Sequence, residues 1–270
     1  MCNLFMKKYM LSPKQKFCFN VLKLAAIYQK IGSVRMKKIW IPLMLVALFV
    51  LAGCNKAIPA KEAGELFVDR VVYDEDTKKF TENFANGEEL NKGFKENEAN
   101  FKDNFTAGLI SVGDAVSKDE ANELTELLNH QIKEVTSYDV KVKEAGKISN
   151  VTYEVKGLDF AAIMKETSKG ITQKMIADNK LANDQNKIIE ETLQLLRENI
   201  KTAKAKETAV PIMIEMKPEK GKWTIVRGQR DQINNLYFAF VAGVKDQETL
   251  TSDWNKAMEE VAKEVQAELK

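Results

Sequence analysis

A chain of 270 residues, 44% of them hydrophobic and only five of them proline, has enough apolar material for one large or two small globular cores and does not have the composition of a disordered protein. Its 41 Lys and Arg nearly balance 39 Asp and Glu, but nine of the bases and none of the acids lie in residues 1–53, so the rest of the chain carries a net charge of −7. Such an acidic body argues against nucleic-acid binding, which requires a positive footprint for phosphates, and a membrane tether would have to come from something other than its overall charge.

The first element in chain order is an export signal that begins at Met36. Lys37 and Lys38 form its positive start, and an apolar run from Ile39 to Leu51 follows. That run has the length of a signal-peptide core and is short for a bilayer span, which needs about 20 residues. We therefore predict that residues 36–53 are a cleaved leader and not a transmembrane helix.

The leader ends in Leu51-Ala52-Gly53-Cys54, which resembles the lipobox of bacterial lipoproteins. The resemblance implies cleavage between Gly53 and Cys54 and a diacylglycerol on the Cys54 sulfur. The mature protein would then be anchored to the cell membrane on its extracytoplasmic face. The alternative is an uncleaved anchor helix with a coincidental cysteine.

Residues 1–35 precede the leader, and we interpret them as an over-called N-terminal extension because Met36 begins a natural signal peptide. A long n-region is the alternative. Cys2 and Cys18 lie in this extension, so with Cys54 modified no cysteine is left for a disulfide, a thiol nucleophile or a metal site in residues 55–270.

After a short tether over residues 54–59, the pattern predicts a globular domain over 60–245 and an amphipathic C-terminal helix over 246–270. Helical spacing of apolar residues alternates with two period-2 segments that read as hairpins, over 138–155 and 210–227. The predicted helices cover 60–73, 78–109 with a break near Asn86-Gly87, 117–132 behind a Ser117 capping box, 159–179, 183–206 and 231–244.

The order helices, hairpin, helices, hairpin, helices predicts an α+β fold in which both hairpins form one four-stranded antiparallel sheet with helices on one face. Two small helix-plus-hairpin units are the alternative. We expect a slightly long loop at residues 145–147, a turn over Pro218–Gly221, and an edge or strand-start position for Pro211, which lacks the N–H that a ladder needs.

The second hairpin carries Trp223-Thr224-Ile225-Val226 after a Lys-Gly-Lys turn, and here the body resembles a group of lipoproteins of Gram-positive bacteria with no assigned activity. The resemblance covers roughly residues 60–245. It implies a cystatin-like domain or one similar to nuclear transport factor two, although the helical stretch 159–206 departs from that class.

Residue types that carry catalysis are sparse in the exported part. His130 is the single histidine, and no nucleophile elbow, phosphate-binding glycine loop or cysteine pair occurs. We therefore predict no cofactor, no metal and no enzymatic activity. A hydrolase that uses two carboxylates stays open as the alternative, because folding can bring any two acids together.

Four aromatic residues on the predicted strands and the helix after them, Tyr138, Tyr153, Trp223 and Tyr237, each combine an apolar ring with a polar group. We predict that they line a ligand pocket, with ordinary core packing as the alternative. The expected function is a binding module for a small ligand or an envelope protein. In a further alternative, the C-terminal helix with Trp254 docks on a partner.

Overall fold

A computed structural model gives the fold and describes residues 56–113 and 115–268. The predicted leader and the predicted lipobox with Cys54 lie outside these residues. The helices are α1 (Ala60–Val71), α2 (Thr77–Asn83), α3 (Gly87–Ile110), α4 (Lys118–Val135), α5 (Phe160–Ala177), α6 (Asn179–Ala182), α7 (Gln185–Thr202), α8 (Arg230–Ala242) and α9 (Gln247–Glu268); the strands are β1 (Ser137–Ala145), β2 (Ile148–Lys156), β3 (Val210–Glu219) and β4 (Lys222–Ile225). No helix of this described part is long and apolar enough to cross a membrane.

The four strands form one antiparallel sheet in the order β1-β2-β3-β4, with helices packed on it, which confirms the predicted α+β architecture. Both hairpins are tighter than predicted. Two residues close the first, where Gly146 takes a φ of 69°, and two close the second, where Lys220 and Gly221 take φ values of 52° and 80°. Positive φ is what the primed turns of two-residue hairpins require.

Pro211 is the second residue of β3, as its missing N–H predicts, although β3 is an interior strand of the sheet. The two facts agree because β4 pairs only with Met216–Glu219. At Pro211, β3 has β2 as its only strand neighbour, so the proline removes no bond to β4.

Two glycines allow helices to lie very close to the sheet. A Cβ on Gly64 of α1 would be 2.7 Å from a methyl of Val151, and a Cβ on Gly157 after β2 would be 1.6 Å from the Ala239 carbonyl oxygen of α8. The core between these layers includes Tyr153 and Phe67, both without exposed surface. The glycines thus fix the positions of α1 and α8.

The helices α5, α7 and α9 form a second layer, in which α9 packs along α5. The buried face of α9 consists of Trp254, Ala257, Val261 and Val265. Outside this face, Glu264 of α9 accepts hydrogen bonds from two lysines of α5, with Nζ–Oε distances of 3.0 and 2.6 Å. The apolar side of the C-terminal helix is therefore engaged with its own chain.

The predicted break in the second helical segment lies between α2 and α3. Asn86 precedes α3 with a φ of 58°, a left-handed conformation that stops a continuous helix. Ser117 caps α4 as predicted, with its Oγ accepting a hydrogen bond from the Glu120 N–H at 3.2 Å.

Candidate functional site

A cleft of about 140 Å³ lies between α3 and α8. It is also lined by residues at the end of α1, on α4 and at the start of α5, and by Leu250 of α9. The lining residues are Val71, Phe94, Asn97, Glu98, Phe101, Asn104, Phe105, Leu128, Phe160, Ile233, Asn234, Tyr237, Phe238, Val241, Ala242 and Leu250.

Helical periodicity explains why these residues meet. The lining positions of α3 run from residue 94 to residue 105 in steps of three and four, so they form one face of the helix. Those of α8 repeat from residue 233 to residue 242 in the same way. The two faces touch where the rings of Phe101 and Tyr237 meet edge to face at a centroid distance of 5.6 Å.

The polar groups of the cleft residues are three carboxamides, one carboxylate and the hydroxyl of Tyr237. Asn97 and Asn104 lie two turns apart on α3, and Asn234 lies opposite on α8. The carboxylate is Glu98, which pairs with Lys102 at 3.6 Å. Carboxamides donate and accept hydrogen bonds, so this lining can bind an apolar molecule that carries neutral polar groups.

A smaller cavity of about 20 Å³ adjoins the cleft and shares Val71, Glu98, Tyr237 and Val241 with it. Asn129 of α4 lines it, and the Asn129 Nδ2 is buried with no hydrogen-bond partner among the described residues. A buried donor without a partner costs about 1–3 kcal/mol. An acceptor in this cavity, whether a water or a group of a bound molecule, would recover that cost.

The structure places the four predicted pocket residues in different surroundings. Tyr237 lines the cleft, whereas Tyr153 is fully buried in the core and donates a hydrogen bond to the Gly64 carbonyl at 3.2 Å. Trp223 is also buried, and its Nε1 donates to the Ile58 carbonyl at 2.8 Å. These residues do not form one pocket, because the sheet face that carries them is covered by α1 and the residues just before it.

Tyr138 lies on β1 beneath α1, and its hydroxyl donates to an Asp69 carboxylate oxygen at 2.5 Å. Burial, followed by this hydrogen bond, raises the pKa of Tyr138 far above its ordinary value. Burial and the Asp69 charge likewise raise the pKa of Tyr153. Both phenols donate hydrogen bonds to α1, Tyr138 to Asp69 and Tyr153 to the Gly64 carbonyl, and so hold α1 on the sheet.

The acidic residues after α1 and the single histidine of the chain both lie next to oppositely charged or titratable side chains. Asp74 and Asp76 occupy the exposed turn after α1, and Asp74 pairs with the buried Arg70 at 2.6 Å. His130 is exposed on α4, with Glu134 at 3.8 Å. Among the described residues, no group of three or more His, Cys, Asp or Glu is arranged to hold a metal ion.

Sequence reasoning missed most of the cleft. The structure divides the phenylalanines of this region: Phe80 and Phe84, on and just after α2, are buried in the core, while Phe94 and Phe101 of α3 line the cleft. A signal was present in the spacing of Asn97 and Asn104, because amides on an aromatic helix face are unusual in a sealed core.

The sequence matches, over residues 50–241, a family described as a domain of unknown function, DUF5105. The chain belongs to the DUF5105 family. The match begins four residues before Cys54 and ends within α8, before α9 begins. No curated protein matches the sequence of this DUF5105 chain.

Among solved structures, the DUF5105 chain is similar to a crystal structure at 2.62 Å of a proposed lipoprotein, ycdA, from Bacillus subtilis subsp. subtilis str. 168. The two sequences are 16% identical, and the TM-score is 0.46. The similarity covers 67% of this chain and 55% of the ycdA chain, so this chain spans little more than half of that protein.

Proposed function

We propose that this protein is a lipoprotein, anchored by a diacylglycerol on Cys54 to the extracytoplasmic face of the cell membrane, whose domain binds a small ligand without catalysis. The lipobox Leu51–Cys54 supports the anchor. The single observation that carries the binding role is the cleft between α3 and α8, where aromatic rings and carboxamides converge.

The lining defines the chemistry of the ligand. A cavity of about 150 Å³ is large enough for a benzene-sized molecule, and the cleft has a similar volume. Glu98 is the one charged residue of the cleft and disfavours anions there. In the adjoining cavity, which Lys133 also lines, Asn129 offers a buried donor to an acceptor. The proposed ligand is therefore a neutral molecule with an aromatic or branched apolar body and a carbonyl-type acceptor.

Three probes of similar size test this chemistry, namely acetophenone, toluene and benzoate, with binding followed by ligand-observed NMR. Acetophenone should bind more tightly than toluene by about fivefold, the value of one net hydrogen bond. Benzoate should bind most weakly, because its charge must be desolvated beside Glu98. Equal binding of all three, or binding of benzoate alone, would overturn the proposed ligand class.

A matched pair of variants locates the site. Val241 lines both cavities and is half-buried, so Val241→Phe fills the cleft. Ile176 is 46% exposed on α5 and lines neither cavity, so Ile176→Phe adds a comparable ring elsewhere. Binding of acetophenone should fall at least tenfold in the first variant and stay unchanged in the second.

Intact-mass analysis of the protein purified from membranes tests the anchor. The expected mass is that of residues 54–270 plus a diacylglycerol. The Cys54→Ser variant should have the mass of the unmodified, uncleaved chain. A full-length unacylated protein in the wild type would refute this part of the proposal. The Gram-positive host, the division of the chain at residues 54, 60 and 246, and the cystatin-like class stay predictions.

The alternatives receive less support from the geometry. A two-carboxylate hydrolase needs a second acid near the first, whereas Glu98 is the one carboxylate among the cleft residues. A docking role for the C-terminal helix needs a free apolar face, whereas that of α9 is buried against α5. Neither alternative has an observation that favours it over ligand binding.

A further inference from the structure

Both hairpin turns lie at the same end of the sheet. Ser149 at the start of β2 is opposite Met216 near the end of β3, so the turn before Ser149 and the turn after Glu219 are neighbours. We call this the hairpin end, defined by residues 143–147 and 217–222. The opposite end of the sheet carries Ser137 and Lys156.

The tether reaches the domain at the hairpin end. The Ile58 carbonyl accepts the hydrogen bond of Trp223, which lies beside the second turn, and Ala57 already packs against the core. Only three peptide steps separate Ala57 from Cys54, so the two Cα atoms can be at most roughly 10 Å apart. A lipid on Cys54 would hold the hairpin end within this reach of the bilayer surface.

The charge of the hairpin end is opposite to that of the whole body. The body carries a net charge of −7, whereas the hairpin end has five lysines and two glutamates. One glutamate, Glu219, pairs with Lys217 at 3.7 Å, and the other, Glu144, accepts a hydrogen bond from Ser149. The lysines are Lys143, Lys147, Lys217, Lys220 and Lys222, all exposed except the partly buried Lys217.

Charged residues of neighbouring elements reduce the positive charge of the hairpin end only in part. The lysines of α1 and α2 that lie nearby are paired, for example Lys79 with Glu62 at 3.1 Å. The first turn of α3 adds Glu88 and Glu89 at the β4 side of this end, and Lys56 on the tether adds a further cation. A positive excess therefore remains around the two turns.

We propose that the hairpin end is a membrane-contacting surface, whose lysines bind anionic lipid headgroups once the Cys54 anchor, on which this inference rests, brings them to the bilayer. Each lysine near an anionic surface contributes about a fivefold gain in binding. That gain is too small to recruit the acidic body from solution, but it suffices to orient a body that is already anchored.

This orientation separates the cleft from the membrane. The end of α1 and the start of α5 line the cleft, and both lie at the end of the sheet opposite the hairpins, because α1 begins at the hairpin end and α5 follows β2. The length of β2 places about 25 Å between the two ends. The cleft would then take its ligand from the envelope and not from the lipid phase.

The test uses the acylated protein, in which Cys54 is blocked and an introduced cysteine is the one free thiol. Ala145→Cys and Ser137→Cys place a donor dye at the two ends of β1, both at exposed positions and about 26 Å apart. Energy transfer to a headgroup-linked acceptor is measured in vesicles of phosphatidylcholine, with and without phosphatidylglycerol. We expect stronger transfer from position 145, and a further rise there when phosphatidylglycerol is present.

Charge variants separate the lysines from the tether. Lys147→Gln, Lys220→Gln and Lys222→Gln together should lower the equilibrium constant for this orientation about a hundredfold and remove the effect of phosphatidylglycerol. The matched control neutralises three exposed lysines at or near the opposite end, Lys156→Gln, Lys201→Gln and Lys204→Gln, and should leave that effect intact.

The outcomes are distinct. Equal transfer from positions 145 and 137 in phosphatidylglycerol vesicles would overturn the inference, and so would an effect of this lipid that survives the triple hairpin variant. Intact mass of the same sample shows whether Cys54 is acylated. An acylated protein without the orientation refutes this inference alone, whereas an unacylated protein refutes the proposed anchor as well.

Discussion

Gly157→Ala tests how closely α8 depends on the backbone that follows β2. The added Cβ would lie 1.6 Å from the Ala239 carbonyl oxygen and 2.9 Å from the Gly243 Cα. Both neighbours are backbone atoms, so no side-chain rotation relieves the clash. The carbonyl and the Cβ must separate by at least about 1.8 Å before their contact is ordinary, which displaces α8 or the end of β2.

The cost has two parts. Overpacking of a close contact costs about 1–3 kcal/mol. The displacement also strains two backbone hydrogen bonds at this point, from Lys206 N–H to the Gly157 carbonyl at 2.8 Å and from Leu158 N–H to the Phe240 carbonyl at 2.9 Å, each worth about 1 kcal/mol. The free energy of unfolding should therefore fall by about 3–5 kcal/mol, a large share of the usual total of about 5–15 kcal/mol.

Urea unfolding followed by circular dichroism measures this loss. With a slope of about 2 kcal/mol per molar urea, the midpoint should fall by about 2 M. Gly93→Ala is the matched control, because a Cβ there meets nothing within 4 Å inside α3, and it should raise stability by up to about 1 kcal/mol. If the free energy of unfolding of Gly157→Ala lies within about 1 kcal/mol of the wild-type value, the close contact with α8 does not exist as described.

Three further changes have defined outcomes. Trp223→Phe removes the hydrogen bond to Ile58 and should cost about 2 kcal/mol, with faster hydrogen exchange of the tether; unchanged exchange would contradict the tether's attachment. Asp246→Ala removes the carboxylate that accepts hydrogen bonds from the Thr249 hydroxyl and N–H, and these bonds lower the pKa of Asp246. Above a pH of about 4, the wild type should therefore be more stable than this variant by about 1 kcal/mol, and it should lose that advantage as the pH falls through the depressed pKa. A stability difference that persists in acid would refute this. Glu264→Gln should increase hydrogen exchange in α9 at low salt and have little effect at about 1 M salt, where charges are screened beyond about 3 Å.

The sheet could be predicted because its signal is local. Alternation along β1 and β2, the Gly146 turn and the Gly221 turn each specify a hairpin without reference to the rest of the chain. Joining the two hairpins required only that both apolar faces be buried. The turn lengths were less well predicted, because a lysine with positive φ at position 220 has no distinctive sequence signal.

The cleft could not be predicted for the opposite reason. Its walls come from α3 and α8, which are more than 120 residues apart in the sequence, and its width depends on the separation of those helices. Periodicity tells which residues of a helix face inward, but it does not tell whether the opposing face arrives in contact or leaves a gap. Tyr138 and Trp223, which the sequence favours as pocket residues, instead lie beneath α1 and the residues just before it.

Polar residues inside apolar helix stripes separate into two kinds in this protein. Arg70 sits in the apolar stripe of α1 and is 1% exposed, but Asn91 and Asp74 accept its hydrogen bonds, so most of its polarity is satisfied within the fold. Asn97 and Asn129 instead line cavities, and the Asn129 Nδ2, like the Arg70 Nη2, is buried without a hydrogen-bond partner among the described residues. The cavity beside Asn129 has room for a hydrogen-bond acceptor, whereas Tyr138, Tyr153 and Trp223 already donate to groups of the fold, which is why the proposed function is placed at the cleft.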